Sequence, residues 1–225
     1  MSRPDRTGGR LRTADVFWDR QWRSQEGRAP WLGPDPWVQG TTELLLAENV
    51  LDTLDLGCGV GRHTTLMARN GFNSHGTDKS LTAARESQQR AQEHGLRVPT
   101  TVSDMTALPY QNHSFDFVLA FNVVYHADES GLAQVLGEVR RVLRPGCRYH
   151  ATMLSKRNHE YGRGVEVASN TFCQPDALDD KVHPHLYVDA SDLARLHQNF
   201  EILNVFESRQ QTPGSYHWYL ESVVR

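Results

Sequence analysis

The chain has 225 residues, of which 38% are hydrophobic and 23% charged, so it is too apolar for a disordered protein. Its formal net charge is −3, with 24 basic residues against 27 acidic ones, whereas proteins that bind a phosphate backbone usually carry a basic excess. No apolar run approaches the roughly 18 residues of a membrane helix. We therefore expect one globular domain, with or without an appendage, and neither a nucleic-acid nor a membrane partner.

The chain has three cysteines, Cys58, Cys147 and Cys173, and none forms a Cys-x-x-Cys pair. Their pattern predicts neither a disulfide framework nor a zinc knuckle. Residues 1–12 are rich in arginine and glycine, lack the apolar centre of a secretory signal, and are expected to form a flexible tail. A cytoplasmic monomer or homodimer is the resulting expectation.

Residues 14–37 hold all but one of the five tryptophans. Trp18 and Trp22 are four positions apart, which places them on one face of a short predicted helix. Residues 29–36 contain three prolines and a glycine and are predicted to form a turn-rich link. An amphipathic helix is predicted over 38–49.

From residue 50 the pattern alternates between apolar strands and amphipathic helices. The predicted strands are 51–56, 72–76, 97–102, 114–121 and 147–154. The predicted helices are 61–70, 80–94 and 128–143. Ser80 is the expected N-cap of the second of these helices, and Gly95 ends it. This alternation is typical of an α/β protein with a doubly wound parallel sheet.

The last third of the chain departs from this rhythm. Residues 155–187 show no clear periodicity and are predicted to be a long functional loop. A helix over 189–197, with Asp189 as its N-cap, follows. Strands over 201–207 and 216–224 are then predicted to form an antiparallel terminal hairpin around a Pro-Gly turn.

The most informative stretch is LDLGCGVGRH, residues 54–63, between a predicted strand and a predicted helix. Its glycines tolerate positive φ and let a ligand approach the backbone closely. The spacing is G-x-G-x-G rather than the G-x-G-x-x-G of dinucleotide-binding loops. Asp55 precedes the glycines, and a carboxylate there suits a ligand with a positive amino group better than a pyrophosphate.

Two further acids follow the next two predicted strands. Asp78 lies about twenty residues beyond the loop, where α/β nucleotide-binding folds place a carboxylate on ribose hydroxyls. Asp104 follows the third strand and is a candidate acceptor for an adenine amino group. Each acid also has a structural alternative. Asp55 would bond loop amides, Asp78 would begin a helix, and Asp104 would form a turn.

Over about residues 51–154 the sequence resembles the class I S-adenosylmethionine-dependent methyltransferases of the small-molecule type. The resemblance is carried by residues 55–61, Asp78, the pair Asp104-Met105, and segments 115–122 and 141–146. Cys147 stands where the family usually has a second glycine. The resemblance implies a Rossmann-like seven-stranded sheet with helices on both faces and an antiparallel C-terminal strand.

The resemblance also implies S-adenosyl-L-methionine as cofactor and S-adenosyl-L-homocysteine as product. The residues it assigns to the cofactor are Asp55, Gly57, Cys58, Gly59, Gly61, Asp78, Lys79, Asp104, Met105 and Asn122. It divides the chain into a flexible start with a tryptophan-rich lid over residues 1–40 and a methyltransferase domain over 41–225. Residues 155–187 are then an insertion on the substrate side.

Several residues are candidates for the acceptor side of the site. His126, just after the fourth strand, is a candidate general base, with a hydrogen-bonding role in the cleft wall as the alternative. The candidate substrate residues are Trp18, Trp22, Tyr125, His159, Tyr161 and His185. The tryptophans either form a lid or simply pack against the sheet. No metal is predicted, because His183 and His185 lack a companion at helical metal-ligand spacing.

The sequence therefore predicts transfer of a methyl group from a sulfonium to a small-molecule nucleophile by in-line displacement. The alternatives are a non-catalytic cofactor-binding regulator and a tRNA or protein methyltransferase. A nicotinamide oxidoreductase is disfavoured by the glycine spacing.

Overall fold

The computed structural model describes residues 12–210 and 212–225. Of the tail predicted over residues 1–12, residues 1–11 lie outside the described residues, and Arg12 begins the first helix. The helices are α1 Arg12–Trp22, α2 Gln25–Arg28, α3 Pro36–Ala47, α4 Arg62–Arg69, α5 Leu81–Glu93, α6 Glu129–Val142 and α7 Ala190–Leu196. Two 3-10 turns span Ala29–Trp31 and Asp180–Val182.

The strands form one sheet around a parallel centre. They are β1 Asp52–Leu56, β2 Asn73–Asp78, β3 Thr100–Val102, β4 Phe115–Ala120, β5 Leu143–Ser155, β6 Val165–Ala168, β7 Thr171–Cys173, β8 His185–Val188, β9 Phe200–Arg209 and β10 Tyr216–Val224. The order β3-β2-β1-β4-β5 is parallel throughout. Strand β10 pairs antiparallel with β5, and β9 pairs with the far side of β10. These seven strands form the predicted doubly wound α/β sheet.

Strand β4 explains why the sheet is covered on both faces. Successive side chains of a strand point to opposite faces. Phe117 and Leu119 enter a core cluster with residues of α3, α4 and β10. Val118 and Ala120 enter a second cluster with residues of α6 and β5. All four are fully buried, which accounts for the uninterrupted apolar sequence of this strand.

The two predicted N-cap residues, Ser80 and Asp189, are confirmed by their hydrogen bonds. The Ser80 hydroxyl accepts a hydrogen bond from the Ala83 amide at 3.0 Å, as an N-cap does. Asp189 and Asp192 form a reciprocal capping box at the start of α7. Within residues 12–210 and 212–225, no helix is both long and apolar enough to cross a membrane.

Residues 155–187 are not the unstructured loop that the sequence predicted. They contain β6, β7 and the start of β8, joined by antiparallel pairing. Strand β8 also pairs in parallel with the carboxyl end of β5, where Leu154 lies opposite Tyr187. These strands have only three or four residues, too few for a hydrophobic period to be recognised. Strand β8 pairs with the long β5, β7 pairs with β8, and β6 pairs with β7, so this regular structure is built outward from β5.

Candidate active site

The glycine loop connects β1 to α4 through three left-handed residues. The φ angles are 67° at Gly57, 52° at Gly59 and 78° at Gly61. The amides of Gly57 and Cys58 donate to the Thr77 carbonyl at 2.8 and 2.9 Å, which fastens the loop to β2. A Cβ at Gly57 would lie 2.3 Å from a Val123 methyl carbon. Only glycine fits this turn without strain.

Asp78 ends β2 and organises the loop from the opposite side. One carboxylate oxygen accepts from the Gly59 amide and the other from the Ser80 amide, both at 2.9 Å. Burial raises the pKa of Asp78 above its usual value, while these amides act in the opposite direction. The carboxylate therefore shapes the loop, and each oxygen keeps a lone pair for a ligand.

Asp104 lies beyond β3, beside Lys79. The Lys79 ammonium is 2.8 Å from one oxygen of Asp104, and the Thr106 hydroxyl donates to the other oxygen at 2.7 Å. Burial acts to raise the pKa of Asp104, but the hydrogen bonds from Lys79 and Thr106 lower it overall. This acid therefore stays ionised, and it has the Thr106 partners expected of a turn-forming aspartate.

Asp55 is the most buried of the three acids, with 2% of its surface exposed. The Thr64 hydroxyl donates to its carboxylate at 2.6 Å, so its partner comes from α4 rather than from loop amides. Burial raises the pKa of Asp55 from 3.8 to about 6. An ionised carboxylate at this place is costly unless a cation compensates it.

We expect Asp55→Asn to change the pH dependence of stability. The unfolded chain releases this proton near pH 3.8, whereas the folded chain keeps it until about pH 6. Rising pH therefore costs the wild type up to about 3 kcal/mol over that window, since one pKa unit is worth about 1.4 kcal/mol. Asparagine has no proton to lose. Urea unfolding from pH 4 to 7 should show the variant gaining on the wild type as pH rises.

A difference in unfolding free energy that stays constant with pH would mean that Asp55 titrates normally in the folded chain. Thr64→Val is the companion variant. It removes the hydroxyl that stabilises the ionised form and so raises the pKa of Asp55 further, which should extend the stability loss to higher pH and make its total larger.

One cleft brings most of the predicted residues together. It lies at the carboxyl ends of the parallel strands, where open α/β sheets bind their ligands. The predicted residues that line it are Asp55, Gly57, Cys58, Gly59, Asp78, Lys79, Asp104, Met105, Asn122, Trp18, Trp22, Tyr125 and His126. Cys58 is buried, and burial raises the pKa of its thiol well above the usual value. It is therefore a packing residue rather than a nucleophile.

Three tryptophans form one wall of this cleft. The rings of Trp18 and Trp22 stack at 5.1 Å between centroids, and Trp31 meets both edge to face. Trp22 is 6% exposed and also lies over Gly59, where an added Cβ would be 3.3 Å from the indole. The tryptophans therefore do two things that the sequence offered as alternatives, since they pack in a core cluster and line the cleft.

The opposite wall follows β4. Asn122 adopts a left-handed φ of 56°, and its backbone N–H donates a hydrogen bond to the Thr152 hydroxyl at 2.7 Å. Its side chain also pairs with Gln210 at 3.1 Å. His126 lies further along, and burial together with His185 and His183 holds its pKa well below the usual range. The ring is neutral at pH 7 and keeps a lone pair.

Four predicted residues do not line the cleft. Gly61 lies behind the loop, where a Cβ would meet Ser87. His159 pairs with Glu160 at 2.7 Å, and Tyr161 packs against Phe172. His185 lies next to His126, with its ring centroid 4.7 Å from that of His126.

The cleft is also lined by Trp31, one of the tryptophans of the predicted lid, and by Phe121, directly after β4. Other residues of the cleft were not predicted, namely Ala14, Asp15, Leu56, Val60, Arg62, His63, Thr77, Ser103, Val123 and Asp180. Arg62 follows the last glycine of the loop, and its guanidinium lies 5.2 Å from the centroids of Trp31 and Phe121. In the sequence, the one signal that Arg62 lies at the cleft was its position directly after the glycine loop. Asp180 carried no signal, because a distant segment brings it to the cleft.

The comparisons with known proteins agree with this geometry. Residues 53–146 match a family model described as "Methyltransferase domain". The chain is 37% identical over 98 residues to methyltransferase GfsG of Streptomyces halstedii, covering 42% of this chain and 34% of that protein. It is 29% identical over 148 residues to the ubiquinone biosynthesis O-methyltransferase of Chelativorans sp. (strain BNC1), covering 57% of this chain and 55% of the relative. The chain thus spans about a third to about half the length of these relatives.

A solved structure extends the match to the whole fold. The 1,6-didemethyltoxoflavin-N1-methyltransferase of Burkholderia thailandensis, with bound 1,6-didemethyltoxoflavin and S-adenosylhomocysteine, superposes with a TM-score of 0.71. The superposition covers 100% of this chain and 93% of that one at 17% identity, so it establishes the fold alone. Residues 53–146, less than half of the chain, thus match a methyltransferase domain. The sheet order and the superposition agree with the Rossmann-like fold of the solved methyltransferase structure.

Proposed function

We propose that the chain transfers a methyl group from the sulfonium of S-adenosyl-L-methionine to a small-molecule nucleophile by in-line displacement. One observation carries this proposal. Three carboxylates, Asp55, Asp78 and Asp104, line a single cleft beside a left-handed glycine loop. They lie at or just beyond the carboxyl ends of β1, β2 and β3.

The donors in the cleft fit this cofactor. Asp78 offers acceptor oxygens for ribose hydroxyls, and Asp104 offers one for an amino group. Asp55 supplies negative charge near the loop for an ammonium. The left-handed Gly57 and Gly59 let the loop turn tightly beside the cleft, with Val123 packed against Gly57 and Trp22 over Gly59. A pyrophosphate at this loop would lie beside the carboxylates of Asp55 and Asp78, which argues against a nicotinamide dinucleotide.

When bound, the cofactor supplies a methyl carbon that its sulfonium already makes electrophilic. The chain then has to hold the acceptor in line and exclude water. Trp18, Trp22 and Trp31 form an apolar wall suited to excluding water, and we assign them the role of a lid. Asn122 is held rigidly by Thr152 and Gln210, which suits it to orienting groups at the end of β4.

Several observations favour a small molecule as the acceptor. The net charge of −3 does not favour a nucleic acid. The Chelativorans protein described above is named for ubiquinone biosynthesis, and the Burkholderia protein for 1,6-didemethyltoxoflavin. Tyr125 and His126 offer an aromatic wall with a ring nitrogen for a hydrogen bond. Where the acceptor must lose a proton, a neutral imidazole is able to accept it.

We expect calorimetric titration to give micromolar binding of S-adenosyl-L-methionine and S-adenosyl-L-homocysteine and no binding of NADH. The physical reason is the charge of the cleft, which favours an ammonium and disfavours a pyrophosphate. Binding of NADH alone would overturn the proposal. Thiols, amines and phenols are then assayed for methylation. Tight cofactor binding with no acceptor methylated would favour a regulatory protein, and a salt-dependent shift with tRNA would favour an RNA substrate.

A further inference from the structure

Three buried histidines form a cluster against the wall of the cleft. They are His126, His183 and His185, and one ring nitrogen from each lies within 4.8 Å of those from the others. His183 and His185 are fully buried, and His126 is 7% exposed. Within residues 12–210 and 212–225 this is the one group of three or more His, Cys, Asp or Glu side chains close enough to share an ion.

Main-chain pairing fixes this cluster. His126 follows β4, whereas His183 and His185 belong to the segment that begins β8. The Leu186 amide donates to the Tyr125 carbonyl at 2.9 Å, which ties the two segments together beside the histidines. His185 thus lies in a strand, whereas His126 and His183 lie in short connections, which this main-chain hydrogen bond holds side by side.

The donor spacing suits a small divalent cation. Nδ1 of His126 and Nε2 of His183 are 3.1 Å apart. Two nitrogens that bind one tetrahedral Zn²⁺ at about 2.0–2.1 Å stand roughly 3.3 Å apart. A ring nitrogen of His185 lies within 4.8 Å of the other two, so His185 has to move inward by up to roughly 1.5 Å and give up one of its hydrogen bonds to bind the same ion. Imidazole is a favoured ligand of zinc and its first-row neighbours.

Hydrogen bonding within the cluster does not satisfy all of its ring nitrogens. His185 presents Nδ1 to the His183 carbonyl oxygen at 2.8 Å and Nε2 to an Asp180 oxygen at 3.2 Å. A neutral imidazole carries one N–H, so it is able to donate to only one of these oxygens. In addition, Nδ1 of His183 is buried with no partner. A cation bound through Nδ1 of His126 and Nε2 of His183 replaces the hydrogen bond between these two atoms.

We infer that His126, His183 and His185 bind a divalent first-row transition cation of the zinc class. His126 and Asp180 line the cleft, so the fourth coordination position opens towards the proposed acceptor site. Three imidazoles with one open position are a ligand set found in catalytic zinc sites. Lys181 pairs with Asp180 at 3.1 Å and neutralises it, so the neutral imidazoles carry the binding. While His126 binds the cation, its ring does not serve as the proton acceptor considered under the proposed function.

The test uses the full chain freed of metal with a chelator and titrated with Co²⁺, without S-adenosyl-L-methionine. We expect one Co²⁺ per chain, the visible absorption of a tetrahedral site, and displacement by Zn²⁺. His183→Gln and His185→Gln should each weaken binding by more than about a hundredfold, since even loss of an outer-shell partner costs roughly ten- to a hundredfold. Circular dichroism confirms that each variant is folded.

His197→Gln is the matched control. His197 is 1% exposed, and its Nε2 also has no partner. It directly follows α7, however, and its ring stacks on Tyr149, away from the histidine cluster. This variant should bind Co²⁺ like the wild type. The inference is overturned if the wild type binds neither metal, or if His183→Gln and His185→Gln bind as tightly as His197→Gln. In that case the cluster is a hydrogen-bonded network of His126, His183, His185 and Asp180.

The same metal-free sample is titrated with S-adenosyl-L-homocysteine. Binding of this ligand without Co²⁺ binding removes the metal site and leaves the proposed methyl transfer intact. Co²⁺ binding without S-adenosyl-L-homocysteine binding supports the metal site and contradicts the proposed methyl transfer. The two proposals therefore fail separately.

Discussion

Gly61→Ala is expected to lower the free energy of unfolding by about 2–5 kcal/mol. Gly61 precedes α4 with a φ of 78°, and a left-handed alanine costs about 1–2 kcal/mol. The added Cβ would also lie 2.4 Å from the Ser87 hydroxyl and 2.9 Å from its Cα. Ser87 is fully buried in α5, so relief requires two helices to move apart. Overpacking of this kind costs about 1–3 kcal/mol more.

Gly162→Ala separates the two contributions. Gly162 has a φ of 79°, and a Cβ there would meet nothing within 4 Å. It should therefore lose only the backbone part, about 1–2 kcal/mol. Urea unfolding of the two variants measures the difference. Equal losses would mean that α5 yields to the new methyl group at little cost, and that the contact between the loop and α5 is looser than described.

Asp78→Asn is expected to weaken S-adenosyl-L-homocysteine binding by about ten- to a hundredfold. Both carboxylate oxygens of Asp78 accept backbone amides, from Gly59 and from Ser80. Asparagine keeps one oxygen and turns an amide nitrogen towards the other N–H, so one donor loses its partner. Losing a hydrogen bond to a charged group costs about 1.5–3 kcal/mol. The distorted loop and the lost ribose acceptor act in the same direction.

Asp116→Asn is the control for this variant. Asp116 also accepts two backbone amides, from Leu51 and Asp52, but at the amino end of β4, away from the cleft. It should lose stability and keep its affinity for S-adenosyl-L-homocysteine. Calorimetry on both folded variants distinguishes the cases. Wild-type affinity in Asp78→Asn, or an equal loss in Asp116→Asn, would remove Asp78 from the cofactor site.

Much of the cofactor side was predictable from the sequence because its signals are local. Gly57, Gly59 and Gly61 follow one another at intervals of two residues, and this pattern indicated a turn with left-handed backbone, as the structure has. Asp78 and Asp104 each follow a strand, and parallel strands end at the same edge of a sheet. Ser80 and Asp189 cap helices through contacts three residues away or fewer. The terminal strand Tyr216–Val224 was predicted with its observed bounds.

The acceptor side was less predictable. Strands β6 to β8 are too short to show a period, so the segment that contains them was predicted to be a loop. His159 and Tyr161 were chosen for their residue types within that segment and do not line the cleft. His183 and His185 showed no ligand spacing along the chain, because their companion His126 lies 57 residues away and follows another strand.

The sequence by itself determined the class of fold, the glycine turn and the acids at the strand ends. These features depend on backbone conformation and on hydrophobic period, which neighbouring residues decide. The tertiary structure decided which distant side chains share a wall. It stacked the tryptophans over Gly59, closed the histidine cluster, and brought Asp180 to the cleft. The tryptophan stack requires α1 to pack on the glycine loop, and the histidine cluster requires β8 to lie beside the segment after β4. No local pattern specifies these placements.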